Sequence, residues 1–231
     1  MNALPLAGKK VMIDPGHGGR FAGAIGRTGL REKDVNLHVS QELQEDLEEM
    51  GAEVRMTRTS DTEVLPGGSL RDDLQARCDL ANQWPADIFV SVHSNSNTNP
   101  EVHGTEVYHA RNASSRSKVL GRLIHQHMVD ELPLKSNGVR KSDFYVVRNT
   151  HMPAVLVETA YLSHSGNEAL LADPQFRENT AGAIARGVRD YFAVEGEIRP
   201  DPPAEQQDPE PPPEEYLLAP GDPLEYLMAV R

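Results

Sequence analysis

Two histidines and two glutamates carry the chemistry that this sequence offers. His17 stands between glycines in Asp14-Pro15-Gly16-His17-Gly18-Gly19, just past a short apolar run. Glu32 opens a helical pattern, His93 closes the run Ile88-Phe89-Val90-Ser91-Val92-His93, and Glu158 follows Ala154-Val155-Leu156-Val157. A buried strand that stops at a Pro-Gly turn delivers its next side chain to the rim of a sheet. In open α/β folds ligands bind at that rim, outside the carboxyl ends of the strands. Two imidazoles and one carboxylate form a known catalytic zinc set that leaves a fourth position for water. Such a site lowers the pKa of water to about 7. We therefore expect His17, Glu32 and His93 to hold one zinc ion per chain. Glu158 is expected to be a partly desolvated carboxylate suited to general base work.

The elements that must position these residues read as α/β. Lys10 to Asp14 is a first strand. Glu32 to Met50 is a helix, with Val35, Val39, Leu43, Leu47 and Met50 at three- and four-residue spacing and Gly51 closing it. Glu53 to Arg58 is a strand, and Ser69 caps a helix carrying Leu70, Leu74, Arg77, Cys78 and Ala81. Ile88 to His93, Glu106 to Tyr108 and Val155 to Val157 are further strands, and Ser114 to Leu132 and Pro174 to Phe192 are helices. Strands alternating with helices predict a single α/β domain, a mostly parallel twisted sheet with helices on both faces. We place it at residues 8–194.

The remaining stretch, residues 195–231, reads as a Pro- and acid-rich tether. It holds nine of the 17 prolines, with ten acidic and two basic residues. Glu215-Tyr216-Leu217-Leu218-Ala219 is echoed by Glu225-Tyr226-Leu227-Met228-Ala229. The repeat is either a frayed terminus or a short docking peptide for this domain or a neighbouring chain. The net charge of −12 is thus mostly the tail's, leaving −4 for the first 194 residues. That balance argues against nucleic acid, whose phosphates need clustered Lys and Arg. No apolar run reaches the roughly 18 residues of a membrane span. The N-terminus lacks the pattern of a secretory signal, so the chain is expected either to stay in the cytoplasm until lysis or to have lost a leader. Cys78 alone can form no internal disulfide and no cysteine-rich zinc site.

Five stretches in order resemble one family. They are Ile13 to Gly19, Glu32-Lys33-Asp34-Val35-Asn36-Leu37, Thr57-Arg58-Thr59-Ser60-Asp61, Ser91 to Ser96 and Met152 to Glu158. Together they are similar to the zinc-dependent N-acetylmuramoyl-L-alanine amidases, over about Val11 to Phe192. The resemblance implies zinc ligands at His17, Glu32 and His93 and a catalytic glutamate at Glu158. It implies hydrolysis of the amide between N-acetylmuramic acid and the L-alanine of the stem peptide, with peptidoglycan as the partner. After Glu158 the family commonly has Gly-Phe and then Ser-Asn, where this chain has Thr159-Ala160-Tyr161-Leu162-Ser163-His164. Asn95 to Glu106 is too short for the plugging helix that some members carry, so an enzyme open by default is implied. Short members without a leader resemble phage endolysins.

Asn95, beside His93, and Arg148, on the approach to Glu158, are candidate substrate contacts; a turn asparagine and a surface arginine are the plainer alternatives. Asp14 either hydrogen-bonds a ligand imidazole or caps its turn. His127 is expected in a core interface and His38 on the wet side of its helix. His125 and His127, two apart, face different ways and cannot chelate together. His103, His109 and His151 lie in or beside loops. Two other functions remain open at this point: a zinc peptidase or deacylase, and a non-catalytic wall-binding module.

Overall fold

The computed structural model describes residues 3–200. The repeat at residues 215–229 lies outside the described residues. Strand β1 (Lys10–Pro15) leads through the glycine-rich loop to helix α1 (Glu32–Glu49), then β2 (Glu53–Met56), α2 (Leu70–Gln83) and β3 (Ile88–Asn95). There follow β4 (Thr105–His109), α3 (Ser115–Glu131), β5 (Ser136–Lys141), α4 (Tyr145–Asn149), β6 (Ala154–Tyr161), α5 (Ser165–Ala172) and α6 (Pro174–Val194). The sheet order is β2-β1-β3-β6-β4-β5. Its pairings are parallel except β4 with β6, so the mostly parallel sheet is as expected.

The central strands are apolar on both sides because both faces are covered. On one face Val11, Ile13, Val90, Val155 and Val157 pack with Val35, Val39 and Leu43 of α1, Ile124 of α3 and Ile184 and Val188 of α6. On the other, Met12, Phe89 and Leu156 pack with Leu74 and Cys78 of α2 and with Tyr145 and Val146 of α4. Helix α2 starts with a complete capping box between Ser69 and Asp72. No helix among the described residues is long and apolar enough to cross a membrane.

Several boundaries differ from expectation. The packed body is wider than 8–194: Leu6 is fully buried, Glu195 pairs with Lys9 at 3.0 Å, and Ile198 rests on the core. Glu158 does not end its strand, since β6 continues to Tyr161. Its pairing with β3 shifts register between His93 and Asn95, a bulge of the kind found beside active sites. Strand β5 and helices α4 and α5 were not expected. Strand β5 is a polar edge strand with no fully buried residue, so it carries no apolar alternation to read. Helix α4, at five residues, and α5, at eight, are too short for a helical period to stand out.

Candidate metal centre

The centre forms where β1, β3, β6 and the start of α1 meet. Gly16 continues the line of β1, its N–H donating to the Val92 carbonyl at 2.9 Å. His17 then adopts φ +64, the left-handed region that non-glycine residues avoid at a cost of about 1–2 kcal/mol. Two buried arginines hold the chain in that turn. Arg77 donates to the carbonyls of Pro15 at 2.8 Å and His17 at 2.7 Å, and Arg58 to those of Pro15 at 3.0 Å and Gly16 at 2.9 Å. Arg77 is itself balanced by Asp14 and Asp73, both at 2.9 Å.

His17, Glu32 and His93 come together. His17 Nε2 lies 3.0 Å and His93 Nδ1 2.9 Å from the same oxygen, Glu32 Oε1. One donor atom from each of the three lies within 4.8 Å of the others, and all three side chains are buried. The other oxygen, Glu32 Oε2, accepts the Ala24 N–H at 2.8 Å. Asn36 Nδ2 and the Ser94 N–H also reach Oε1, at 3.3 and 3.2 Å. Bulk is excluded around the rings: a Cβ on Gly16 would run into the His93 imidazole, and one on Gly23 would come within 2.5 Å of Glu32 Oε2. Burial pushes the Glu32 carboxyl up, but His17 and His93 outweigh it and hold the acid well below the usual carboxylate range. Burial also lowers the His17 imidazole, against the pull of Glu32. Burial that disfavours the charged form of His17, beside a carboxyl held ionised, suits the pair to ligating a cation.

Glu158 stands next to this cluster, paired in register with His93 of β3 and with Glu106 of β4. It is 1 % exposed, and its Oε2 has no hydrogen-bond partner among the described residues. Burial, with Glu32 and Glu106 as neighbouring anions, pushes its carboxyl well above the usual carboxylate range. A buried acid with a raised pKa beside a possible cation site is the arrangement of a proton-transfer group.

Residues 11–190 match the family described as N-acetylmuramoyl-L-alanine amidase. The chain belongs to this amidase family. Over 212 residues it is 34 % identical to the germination-specific N-acetylmuramoyl-L-alanine amidase of Bacillus subtilis, a match covering 87 % of this chain and 85 % of that one. The N-acetylmuramoyl-L-alanine amidase AmiC2 of Nostoc punctiforme superposes with a TM-score of 0.74 at 36 % identity, over 81 % of this chain and 99 % of that one. The CwlD amidase of Clostridioides difficile, solved in complex with the GerS lipoprotein, gives 0.76 at 28 % identity, over 80 % and 99 %.

The remaining sequence candidates fall in different places on this amidase. Asn95 is at the end of β3, but its Nδ2 donates to Glu106 Oε1 at 2.6 Å and its Oδ1 accepts from the Ser96 N–H. Tyr161 donates to the same Glu106 oxygen at 2.6 Å. Arg148 is not brought to the centre. It is exposed on α4 and lines a hollow with His151 and Pro153 at the amino end of β6. Glu158 lies four residues beyond Ala154, about 13 Å along a strand rising 3.3 Å per residue. Asp14 accepts from Thr57 Oγ1 at 2.6 Å, Ser91 Oγ at 2.7 Å and Arg77, none of them an imidazole. His127 is not core; it is half-buried between α3 and α6, bonded to Glu131 and Asp190 at 2.7 Å each. His38 is exposed, as expected, and His103 stacks on His164, the N-cap of α5. Residues 96–104 contain no helix, so no plugging helix follows β3.

Sequence reasoning missed Arg77, Arg58 and Glu106. Arg77 left a trace, a cation in the apolar stripe of α2 between Leu74 and Cys78. Arg58 lay inside a matched stretch with no role assigned. Glu106 read as one polar residue of a short alternating strand.

Proposed function

We propose that this amidase cleaves its amide bond with zinc held by His17, Glu32 and His93 and with Glu158 as the general base. The observation that carries the proposal is the meeting of three nitrogen and oxygen donors from far apart in the chain, within 4.8 Å, beside an acid with an unsatisfied buried oxygen. Two imidazoles and one carboxylate suit zinc better than magnesium or calcium, which prefer all-oxygen shells. Bound there, zinc would polarise the substrate carbonyl and make water more acidic. The substrate is peptidoglycan, at the amide joining the lactyl group of N-acetylmuramic acid to L-alanine.

Glu158 takes a proton from the attacking water as its oxygen bonds to the carbonyl carbon. It returns that proton to the alanine nitrogen as the carbon–nitrogen bond breaks. Glu32, kept ionised, contributes one negative charge, so the centre with a divalent cation stays net positive. Arg77 and Arg58 hold the His17 loop so that the left-handed turn does not relax. Asn95 and Tyr161 fix Glu106, which sits across the strand pair from Glu158.

The test is Glu158→Gln. The variant should bind zinc as the parent does while losing at least about a hundredfold in turnover, the low end of general base contributions. Near-parental turnover would place the base elsewhere. Digestion of purified wall fragments separates the amidase from a zinc peptidase or deacylase. The amidase releases intact stem peptides with a new L-alanine amino terminus; a cut within the stem would overturn the assignment.

A further inference from the structure

The loop from Gly16 to Arg31 starts at one candidate ligand and ends at the next. Its first half is anchored close to home. The Gly19 N–H donates to Asp61 at 2.8 Å, and Lys33 donates to the Gly19 carbonyl at 2.7 Å. Its second half makes the contact that orients Glu32. Ala24 accepts from the Glu32 N–H at 2.9 Å and donates to Glu32 Oε2 at 2.8 Å, leaving Oε1 turned toward His17 and His93.

That second half is held from across the molecule. Glu168, on α5 and 2 % exposed, accepts at Oε1 from the Thr28 N–H at 2.8 Å and from Thr28 Oγ1 at 2.6 Å. Gly26 presses on the same carboxyl, where a Cβ would collide with Oε1, and its N–H closes the turn onto the Leu30 carbonyl at 2.8 Å. Burying a carboxylate is costly, and this one's hydrogen bonds go to a loop backbone and hydroxyl. Charge-assisted bonds of this length are the strong kind, which suits them to fixing a loop.

We propose that Glu168 is a positioning residue for the metal centre. By pinning Gly26 and Thr28 it holds Ala24 against Glu32, so that the carboxylate presents one oxygen and not the other to the ion. Helix α5 follows β6 directly, so the segment that carries Glu158 also clamps the loop of the opposing ligand. The two sides of the site are thereby placed by one strand–helix unit. This inference rests on the zinc reading above.

The experiment measures zinc affinity of the full chain by competition with a chromophoric chelator, and hydrogen exchange at the Ala24 amide. Outer partners of metal ligands typically contribute 10- to 100-fold in affinity, so Glu168→Ala should weaken zinc binding about tenfold. It should also speed exchange at Ala24. Glu168→Gln keeps an acceptor oxygen at the same reach and should stay within about threefold of the parent. Thr28→Val, a change at an exposed position, should cost about two- to fivefold. A folded Glu168→Ala with parental affinity and parental Ala24 exchange overturns the clamp while leaving the zinc reading intact. If Glu168→Ala does not fold, parental zinc affinity in Thr28→Val overturns the clamp instead. A parent chain that binds no zinc overturns both.

Discussion

At Gly16 there is no space for even one methyl group. A Cβ there would land on the His93 ring, whose neighbours are the buried Glu32 and His17. With zinc held as proposed, Gly16→Ala should therefore displace His93 and lower the zinc content of an otherwise folded chain, measured beside an unchanged far-ultraviolet circular dichroism spectrum. Glu106 acts at longer range. It faces Glu158 across the antiparallel pair of β4 and β6, and its charge is one of the causes that raise the Glu158 carboxyl. Glu106→Gln removes that charge and keeps an acceptor for Asn95 and Tyr161. Losing a neighbouring anion lowers the pKa of the remaining acid. The acidic limb of the kcat/KM profile should then move to lower pH, and a limb that stays in place would show that Glu106 does not tune the base.

Helix α2 owes its place as much to one cation as to its apolar stripe. Arg77 is 1 % exposed and joins Asp14 of β1 and Asp73 of its own helix while donating to the turn at His17. Removing one partner of a buried ion pair strands the others, at about 3–5 kcal/mol. Arg77→Ala should destabilise the fold by that order, read from denaturant unfolding. The seam of α3 and α6 is weaker and depends on pH. Burial alone would lower the His127 imidazole, but Asp190 and Glu131 overcome it and raise the pKa above its ordinary 6.5. A folded value above the unfolded one means that the contribution is complete below about pH 6.5 and fades as pH rises through the folded value. His127→Gln should cost less than about 1 kcal/mol at pH 5.5, the scale of partly exposed pairs, and nearly nothing at pH 9. These elements also show where sequence suffices. α1, α6, β1 and β3 are legible because each sets an apolar period against a broad core. β5 is not, since Ser136–Lys141 runs along a half-exposed edge where nothing demands alternation. His127 misled because a polar residue inside an apolar helix face can be gripped by two carboxylates instead of buried.

Over the whole molecule, the meeting of His17, Glu32, His93 and Glu158 was legible because each lies where the chain enters or leaves a central element, and topology alone brings such points together. The place of Arg148 was not. Arg148 is close to Glu158 in sequence, but a strand separates its two ends in space, and Arg148 stays with the entrance. Charge is another property of the whole chain. The net −12 falls mainly on residues 195–231, and the first 194 carry only −4. A nearly balanced body has little long-range field to draw in an anionic wall, and charges more than about 8 Å apart are screened at physiological salt. On the proposed function, recognition then rests on short contacts around Glu158 and the three proposed ligands, which lie in buried surroundings that salt screens little. The kcat/KM on wall fragments should accordingly change by less than about twofold between 0.05 and 0.3 M sodium chloride. A steep fall across that range would mean that a cationic surface steers the substrate, and would move the search for contacts from the centre back to exposed arginines such as Arg148.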